Sequence, residues 1–528
     1  MQKFELSKSE YMMFLKHPAW LWLKKHNKKM LPPPDANLQA MFDAGNIFEQ
    51  YAEARFDQIT RVGFDNYDEY LSMPTRTIKA LEAGATQLTQ GRFVAEYGDN
   101  SITCIVDVIQ KVDAKTFDLF EIKSSTSVKP DHIEDLAFQT VVLESAGYSV
   151  RNIAVVYCNN QYVRKGEVDL LALSIQEDVT TRVRAKIETT KRNISAAIQT
   201  ISQSEMPDPT PRRVKLGAFK EWLEIFLSLK PTSDPYSIYK LAQAKPEQLG
   251  QLEDMHISSI ADIPEDFALG SKQSWQVEAT KLGEPIVCPE KVGAFIESLE
   301  YPLYFLDYET LSSVVPSFDG LKPYQQLPFQ YSLHIIEKPG AELTHSEFLH
   351  TLDSDPLPSL LKQLQNDIGD TGTVLVWYEG FEKSCNELMG KMQPEFANFL
   401  ADINSRVKDL MIPFSKGYYR DKDFYGSASI KKVLPVLAPE LSYGDMDIQE
   451  GASAQRLWMQ SVYENVHSAK EKANIMKNLR KYCELDTYAM VRIFEFLLAL
   501  SRGEKHEESV VSIAENTLLG PAEQLSLL

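Results

Sequence analysis

The spacing of apolar residues in the N-terminal part of the chain predicts a mixed domain. Helical periodicity over 41–56 predicts a helix, and β-rich runs at 102–112 and 117–122, separated by a short polar turn, predict a hairpin. A helix over 131–146 and an apolar strand over 153–158 follow. We therefore expect an α/β domain here.

A second α/β pattern occupies the C-terminal part. Apolar strands are predicted over 303–306, 329–336 and 373–378, and a long helix over 474–500. Between the two patterns, the closely spaced prolines of 206–212 predict a boundary. The expected organisation is an α/β domain, a helical connector, a second α/β domain and a flexible tail, over residues 1–215, 216–290, 291–505 and 506–528.

Length and composition agree with this division. A chain of 528 residues is too long for one hydrophobic core, because single cores stop growing near about 250 to 300 residues. Apolar residues at 44% and charged residues at 24% are ordinary for globular proteins. Two or three folded domains are therefore expected.

The formal net charge of -19 argues against broad, nonspecific attraction to nucleic acid, because lysine and arginine make the phosphate contacts. Nucleic-acid binding would require local basic patches. Four basic runs are candidates, although such runs are more often solvated faces: Lys24, Lys25, Lys28 and Lys29; Arg182, Arg184, Lys186, Lys191 and Arg192; Arg212, Arg213 and Lys215; Arg420, Lys422, Lys431 and Lys432. The acidic balance also suits carboxylate clusters that hold Mg²⁺ or Mn²⁺.

The cysteines and the N-terminus indicate the compartment. The five cysteines are widely spaced and form no Cys-x-x-Cys pair, so neither a disulfide framework nor a zinc site is predicted. The chain contains no run of about 18 apolar residues that would cross a membrane. We expect a cytoplasmic protein in a reducing compartment.

Acidic residues follow the apolar strands of the C-terminal pattern. Asp307 and Glu309 are two residues apart at the end of a strand, so both project from one face. Glu382 follows another apolar strand, and Tyr482 and Asp486 are four apart on a helix. Because phosphodiester hydrolysis is helped by two divalent ions and such ions need carboxylates, we expect the four acids to ligate Mg²⁺ or Mn²⁺. Tyr482 would orient the attacking water.

The order of these motifs resembles the DnaQ-like exonucleases of the tyrosine subclass, whose motifs read Asp-x-Glu, His-Asn-x-x-Phe-Asp and Tyr-x-x-x-Asp. The resemblance implies an RNase H-like fold and 3′–5′ exonuclease activity. Trp377 and Tyr378 stand where the family has His-Asn, and Glu382 stands where it has Asp. Glu379 is a rival for that ligand, and Asp409 matches a supporting acidic position that some relatives carry further along the chain.

A second polar set surrounds the predicted N-terminal hairpin. Asp107 lies on its first strand, and Glu121 and Lys123 share one face of its second strand. The two acids could share a divalent ion, while Lys123 would hold the attacking water or stabilise charge on the phosphate. Glu49 on a preceding helix and Gln139 on the following helix complete the set.

This order resembles the RecB-like branch of the PD-(D/E)xK nucleases, in which Gly-x-x-x-His precedes the Asp and Gln-x-x-x-Tyr follows the Lys. Glu49 stands at the His position and Leu143 at the Tyr position. Many of these relatives hold an iron–sulfur cluster through four cysteines. His17-Pro18 stands where they have Cys-Pro, and 201–215 contains no cysteine, so no cluster is expected.

Four further runs are similar to a bacterial family that joins a RecB-like nuclease to a DnaQ-like exonuclease: 6–9, 121–125, 301–307 and 426–435. The resemblance implies a dual metal-dependent nuclease, with DNA more favoured than RNA and with repair or antiviral defence as candidate roles. The departures at Glu49, Leu143 and Tyr378 leave open a binding module with one or both sites degenerate. An RNA exonuclease is a third reading, since discrimination of the 2′-hydroxyl depends on pocket shape.

The last five residues suggest a partner. Gln524, Leu525, Ser526, Leu527 and Leu528 resemble the short motif that binds the bacterial sliding clamp. Leu525, Leu527 and Leu528 would enter apolar pockets, and Gln524 would hydrogen-bond at the rim. The alternative is that these leucines cover the protein's own surface. Nucleic acid and a sliding clamp are therefore the expected partners, with no membrane.

Overall fold

The computed structural model of the chain describes residues 3–33, 36–442, 444, 446, 448 and 450–503. The C-terminal pentapeptide with the resemblance to a clamp-binding motif lies outside these residues. The chain divides into two compact units: Met1–Ser233, Lys245–Gln251 and Ser313–Gln325 form the first, and Asp234–Ala244, Leu252–Ser312 and Gln326–Leu528 form the second. Both units combine sheets with helices, so the prediction of α/β architecture is confirmed at that level.

The first unit is built on a seven-stranded sheet. Its strands are β1 (Glu5–Ser7), β2 (Ile59–Arg61), β3 (Gln87–Tyr97), β4 (Asn100–Lys111), β5 (Thr116–Lys123), β6 (Ser149–Cys158) and β7 (Ser174–Asp178). They follow the order β2-β3-β4-β5-β6-β7, and β1 pairs with β4. β3, β4 and β5 are antiparallel, whereas β5 and β6 are parallel, as a helical crossover requires.

Eight helices of the first unit are described: α1 (Lys8–Lys16), α2 (Pro18–His26), α3 (Ala36–Glu53), α4 (Tyr67–Glu82), α5 (Pro130–Ser145), α6 (Thr180–Arg184), α7 (Ile187–Ser202) and α8 (Phe219–Leu229). α5 is the crossover between β5 and β6, and the proline at its first position is favourable because that position needs no N–H donor. The main core lies between the sheet and α1, α5 and α7, where Tyr11 stacks on Phe138.

The segment Ser313–Gln325 belongs to the first unit although it links two strands of the second. Val314 and Val315 are buried in a small core with Phe48 and Phe120. The hydroxyl of Tyr324 donates to the backbone oxygen of Ser124 at 2.6 Å.

The expected connector over 216–290 contains α8, α9 (Pro246–Asp254) and α10 (Ser271–Leu282). It does not form a separate unit, because its residues divide between the two compact units.

A five-stranded mixed sheet forms the centre of the second unit. The strands of this unit are β8 (Ile286–Val287), β9 (Leu303–Leu311), β10 (Leu327–Ile336), β11 (Thr344–Leu349), β12 (Thr373–Val376), β13 (Val407–Asp409) and β14 (Tyr419–Arg420). The main sheet has the order β11-β10-β9-β12-β13, while β8 and β14 pair separately. β9 is antiparallel to β10 and parallel to β12.

The remaining helices of the second unit are α11 (Pro289–Glu297), α12 (Leu357–Asp367), α13 (Glu379–Met392), α14 (Ala397–Arg406), α15 (Ile412–Ser415), α16 (Ile430–Leu437), α17 (Gly451–Val462) and α18 (Ala469–Ser501). α18 begins with a capping box in which Ser468 and Glu471 satisfy each other's backbone N–H groups. The sequence predicts this helix five residues too short at its N-terminus, where the first turn is polar. Within the described residues, no helix combines the length and apolar character needed to cross a membrane.

Candidate functional site

Two acids lie at the open end of the central strand of the second unit. The pairing of β9 with β12 ends at Phe305 and Leu375, so the following residues of β9 extend beyond its neighbour. Asp307 and Glu309 are on this extension, with their side chains on the same face because they are two residues apart.

A third acid comes from α18. Carboxylate oxygens of Asp307, Glu309 and Asp486, one from each residue, lie within 4.8 Å of one another. The Sγ of Cys483 lies 3.9 Å from the backbone oxygen of Asp307, which places this part of α18 directly against β9. The three oxygens are close enough to share one divalent ion.

Glu382 is the fourth acid. It lies in the first turn of α13, is 2% exposed, and its Oε2 has no hydrogen-bond partner among the described residues. A buried carboxylate oxygen without a partner is unfavourable unless a cation or proton satisfies it. The donor set of the four acids therefore fits hard divalent ions such as Mg²⁺ or Mn²⁺.

Burial and repulsion between carboxylates raise the pKa values of three of these acids. Burial raises the pKa of Asp307 well above its usual range, and the neighbouring Asp486 and Glu382 raise it further. Burial, followed by repulsion from Asp486, raises the pKa of Glu309 to about 8, against the opposing charge of Lys431. Burial also raises the pKa of Glu382 well above its usual range. A divalent ion would reverse this balance, because it favours the charged carboxylates.

Asp409, at the end of β13, holds the turn that begins α13. Its carboxylate accepts hydrogen bonds from the backbone N–H groups of Tyr378, Glu379 and Met411 at 3.0, 3.2 and 2.9 Å. These bonds fix Tyr378 at φ 80, a conformation uncommon outside glycine. Asp409 thus positions the helix that carries Glu382.

Trp377 and Tyr378 stand where the DnaQ-like motif has His-Asn, and Glu379 is the rival for the ligand that follows them. Trp377 donates its indole N–H to the backbone oxygen of Ala428 at 3.2 Å, whereas Tyr378 is exposed. Glu379, the rival ligand, forms an ion pair with Lys383 at 2.6 Å. Its carboxylate is therefore occupied outside the acid cluster.

A cavity of about 440 Å³ opens over the acids. Its lining includes Tyr482 from α18, Lys431 from α16 and Gln455 from α17. The Nζ of Lys431 lies 6.0 Å from the ring centroid of Tyr482. The sequence marks Lys431 as part of a basic run without placing it in this site, and it gives no signal for Gln455.

The second polar set lies in the first unit, where β4 and β5 separate. Their ladder ends at the pair Val108 and Phe120, and β1 pairs with β4 further back, so Asp107 lies in the gap. Asp107 Oδ2 accepts a hydrogen bond from the backbone N–H of Ile122 at 2.8 Å. Glu121 follows directly after the last residue of β5 that pairs with β4, and it is fully buried.

Two lysines and a glutamine surround Glu121. The Nζ atoms of Lys8 and Lys123 lie 3.0 and 2.5 Å from its Oε1, and Gln139 donates to its Oε2 at 2.6 Å. Asp135 completes the group at 3.4 Å from Lys8, 3.2 Å from Lys123 and 2.9 Å from Gln139. We call these five residues the lysine network.

The lysine network controls the charge of the first site. Burial by itself raises the pKa of Glu121, but Lys123 and Lys8 outweigh it and hold this pKa well below its usual range. Burial, together with repulsion from Glu121, raises the pKa of Asp107 to about 8. Because side-chain donors engage both oxygens of Glu121, a divalent ion would have to displace at least one of them.

Glu49 joins this neighbourhood more loosely. It accepts a hydrogen bond from Gln90, and burial raises its pKa, with a further contribution from Glu53. Its charge also contributes to the raised pKa of Asp107. Leu143, at the position of the family tyrosine, lies in the main core instead.

Sequence reasoning missed Lys8 and Asp135. Lys8 belongs to the run 6–9, which carries part of the family resemblance, but nothing local connects it to β5 more than a hundred residues later. Asp135 lies four residues before Gln139 on one face of α5, and this spacing could have identified it.

His17, which stands where the RecB-like resemblance would place a cluster cysteine, packs against an aromatic ring and a backbone oxygen. His17 is buried and stacks on Trp222 with ring centroids 4.1 Å apart, and its Nε2 lies 3.2 Å from the backbone oxygen of Thr210. Burial lowers the pKa of His17 to about 4, which keeps this ring neutral at neutral pH.

Part of the chain is similar to known proteins. A family model described as a domain of unknown function (DUF2779) matches residues 304–429, which include Asp307, Glu309, Glu382 and Asp409. The chain is 29% identical over 238 residues to "Uncharacterized protein MG366 homolog" of Mycoplasma pneumoniae, covering 40% of this chain and 34% of that protein. It is 27% identical over 212 residues to "Uncharacterized protein MG366" of Mycoplasma genitalium, covering 37% and 31%. The matches thus span about a third of the length of these relatives.

Proposed function

We propose that the chain is a metal-dependent nuclease whose second unit carries a 3′–5′ exonuclease site. The observation that carries the proposal is the convergence of three acids, Asp307, Glu309 and Asp486, at one cavity, with the buried Glu382 close enough to raise the pKa of Asp307. The order β11-β10-β9-β12-β13, with β10 antiparallel to the central β9, also supports an RNase H-like sheet.

Each residue of the proposed site has its own role in the reaction. The four acids would hold Mg²⁺ or Mn²⁺, which when bound activate a water molecule and stabilise the leaving oxygen. The hydroxyl of Tyr482 would orient the attacking water, and Asp409 would keep α13 in place so that Glu382 faces Asp307.

We propose a second nuclease site in the first unit. The succession β3-β4-β5-α5-β6 supports a PD-(D/E)xK core, and Asp107, Glu121 and Lys123 meet where β4 and β5 separate. Asp107 and Glu121 would ligate the metal, with Glu49 as a further acid. Lys123 would stabilise charge on the phosphate, and Gln139 would orient Glu121.

A substrate panel tests both sites. Labelled single-stranded DNA, double-stranded DNA and RNA are incubated with the purified protein and Mg²⁺ or Mn²⁺. We expect metal-dependent degradation, with Asp307→Ala and Asp107→Ala each removing one activity and the exposed control Asp370→Ala removing neither. No degradation of any substrate by the unmodified protein would overturn the proposal, and degradation supported by Zn²⁺ alone would contradict the metal assignment.

Nucleic-acid binding without cleavage is the second candidate for the first unit. It is favoured by the engagement of both Glu121 oxygens in the lysine network and by the packing of Leu143 in the core. Under this alternative, Asp107→Ala changes no cleavage activity, although the first unit still binds nucleic acid.

A further inference from the structure

Two tyrosines and three lysines form a patch on the second unit. The rings of Tyr236 and Tyr425 stack with centroids 6.1 Å apart. The Nζ atoms of Lys240 and Lys432 lie 5.3 and 5.7 Å from the centroid of Tyr425, and that of Lys422 lies 5.7 Å from the centroid of Tyr236. We call these five residues the tyrosine–lysine patch.

The patch adjoins the acid cavity through α16. Lys431, in the first turn of this helix, lines the cavity. Lys432 is the next residue and extends toward Tyr425 instead. Because consecutive residues of a helix point in directions about 100° apart, one turn of α16 offers a lysine to each surface.

The segment that carries Tyr236 is held to α10, and the segment that carries Tyr425 packs closely against it. Gln276 on α10 accepts a hydrogen bond from the N–H of Ala242 at 2.8 Å and donates to the backbone oxygen of Lys240 at 2.9 Å. A Cβ at Gly426 would lie 2.6 Å from the Cβ of Ala242, so only glycine permits this close approach. A preorganised surface loses less entropy on binding.

The charges of the patch are available to an anion. Arg182, Arg184 and Lys186 of another basic run each form an ion pair with a glutamate, as a solvated face does. In contrast, neither Lys240 nor Lys432 forms an ion pair with any carboxylate of the described residues.

The acids nearest to the tyrosines are engaged locally. Asp423 accepts the hydroxyl of Tyr236 at 2.6 Å, and Asp421 accepts the backbone N–H of Asp423 at 2.8 Å. Asp234 likewise accepts the backbone N–H of Tyr236 at 2.8 Å. These carboxylates stay charged, so the lysines without ion pairs among the described residues, which lie beside the stacked rings, are what favours an anionic ligand with flat rings.

We propose that the tyrosine–lysine patch binds the single-stranded segment of a nucleic acid whose end lies in the acid cavity. Unpaired bases stack on Tyr425 and Tyr236, and phosphates contact Lys432 and Lys240, which is the combination found in sequence-independent single-strand binding. Paired bases cannot stack in this way, so the patch selects single strands over duplexes. The inference rests on the exonuclease function proposed for the cavity.

The test measures binding by fluorescence anisotropy with a labelled DNA strand of about 12 nucleotides, within the range that one such site covers. EDTA is present, so that cleavage does not interfere. Tyr425→Asn should weaken binding about tenfold, and asparagine suits this position because it tolerates φ 52. Tyr425→Phe keeps an aromatic face and should bind like the unmodified protein.

Salt dependence separates phosphate contacts from stacking. Lys432→Gln should reduce the slope of log affinity against log salt by about 0.7, the contribution of one phosphate contact on a single strand. The matched control is Lys391→Gln, at an exposed lysine near the C-terminus of α13, and it should leave the slope unchanged. Lys432 is itself exposed, so its substitution does not endanger folding, and RNA of the same sequence reports whether the patch distinguishes the two polymers.

The outcomes separate the patch from the exonuclease. Unchanged binding by Tyr425→Asn, an equal loss for duplex DNA, or no single-strand binding by the unmodified protein would each overturn the patch. If the unmodified protein cleaves strands with Mg²⁺ while Tyr425→Asn binds normally, the exonuclease stands and the patch fails. If Tyr425→Asn loses binding but the unmodified protein never cleaves, the patch stands and the exonuclease fails.

Discussion

The two acid sites balance their charges in opposite ways. In the first unit, Lys8 and Lys123 neutralise Glu121 and hold its pKa low. In the second unit, burial and mutual repulsion raise the pKa values of Asp307 and Glu309. The lysines thus stabilise the charged form of Glu121, whereas burial and repulsion favour the protonated forms of Asp307 and Glu309, as they do for Asp107 in the first site.

This difference changes what a metal must displace. An ion entering the first site competes with ammonium groups for the oxygens of Glu121, whereas an ion entering the second site competes with protons. Paired carboxylates in a sequence therefore do not determine the charge state of a site, because that depends on the side chains that other elements bring beside them.

The largest expected effect concerns folding stability without metal. Glu121→Gln removes the carboxylate that pairs with both Lys8 and Lys123 and leaves them to share Asp135, and breaking a buried pair costs about 3 kcal/mol or more. Glu309→Gln should change stability by less than about 1 kcal/mol, because an amide resembles the protonated carboxyl already present. Urea unfolding in EDTA at pH 7 measures both, and a larger loss for Glu309→Gln would reverse the comparison.

Metal addition should stabilise the protein through the second unit. An ion that binds the folded state alone adds about 2.7 kcal/mol at a concentration of 100 times its Kd. We expect Mn²⁺ to raise the unfolding temperature of the unmodified protein, and Glu309→Gln to reduce this increase. Glu379→Gln is the matched control, because its carboxylate pairs with Lys383 outside the cluster. An equal response of both variants would show that the ion binds elsewhere.

A smaller effect is expected from the residue that positions α13. Asp409→Asn retains one carboxamide oxygen where the carboxylate accepts three backbone N–H groups, and it should weaken metal affinity or activity about 10- to 100-fold. Asp402→Asn, at an exposed ion pair with Arg406, is the control. Isothermal titration with Mn²⁺ measures the affinity, and a variant that binds the metal normally would remove Asp409 from the site.

The parts of the sites that sequence predicts are local in the chain. The spacing of Asp307 and Glu309 on a strand, and of Glu121 and Lys123 on another, follows from the two-residue period of a strand. The sequence does not predict β3, because its polar residues and Gly91 obscure the alternation of apolar and polar positions. The structure nevertheless favours glycine at position 91, since a Cβ there would lie only 2.3 Å from the Leu88 side chain.

The missed residues depend on pairing over long distances. Lys8 reaches Glu121 because β1 lies parallel to β4, and α16 brings Lys431 to the cavity more than a hundred residues after β9. Neither juxtaposition has a periodic signal in the sequence, because it arises from the order of strands and the packing of helices. The charge balance of each site, which depends on these lysines, could therefore not be predicted.

A further expected effect is the pH dependence of stability without metal. Burial raises the pKa of Glu309 in the folded protein to about 8, above the value of about 4.3 for an unfolded glutamate. A raised pKa in the folded state gives stability that is fully present below the unfolded value and is lost as the pH rises through the folded value. Between pH 5 and pH 8, the free energy of unfolding in EDTA should therefore fall, and Glu309 alone contributes at most about 1.4 kcal/mol per pH unit.

Glu121 gives the opposite sign, which makes this measurement a test of the comparison. Because its pKa is lowered in the folded state, its contribution is present above the unfolded value and is lost only as the pH falls below about 4. Its contribution is thus constant over the range from pH 5 to pH 8. Asp107, whose pKa is raised to about 8, contributes to the decline in the same direction as Glu309.

The pH series is therefore repeated with two variants. Glu309→Gln removes one titrating group of the second site and should flatten the decline, and Asp107→Asn removes the titrating group of the first site. A decline that neither substitution changes would show that Glu309 and Asp107 do not hold protons at neutral pH.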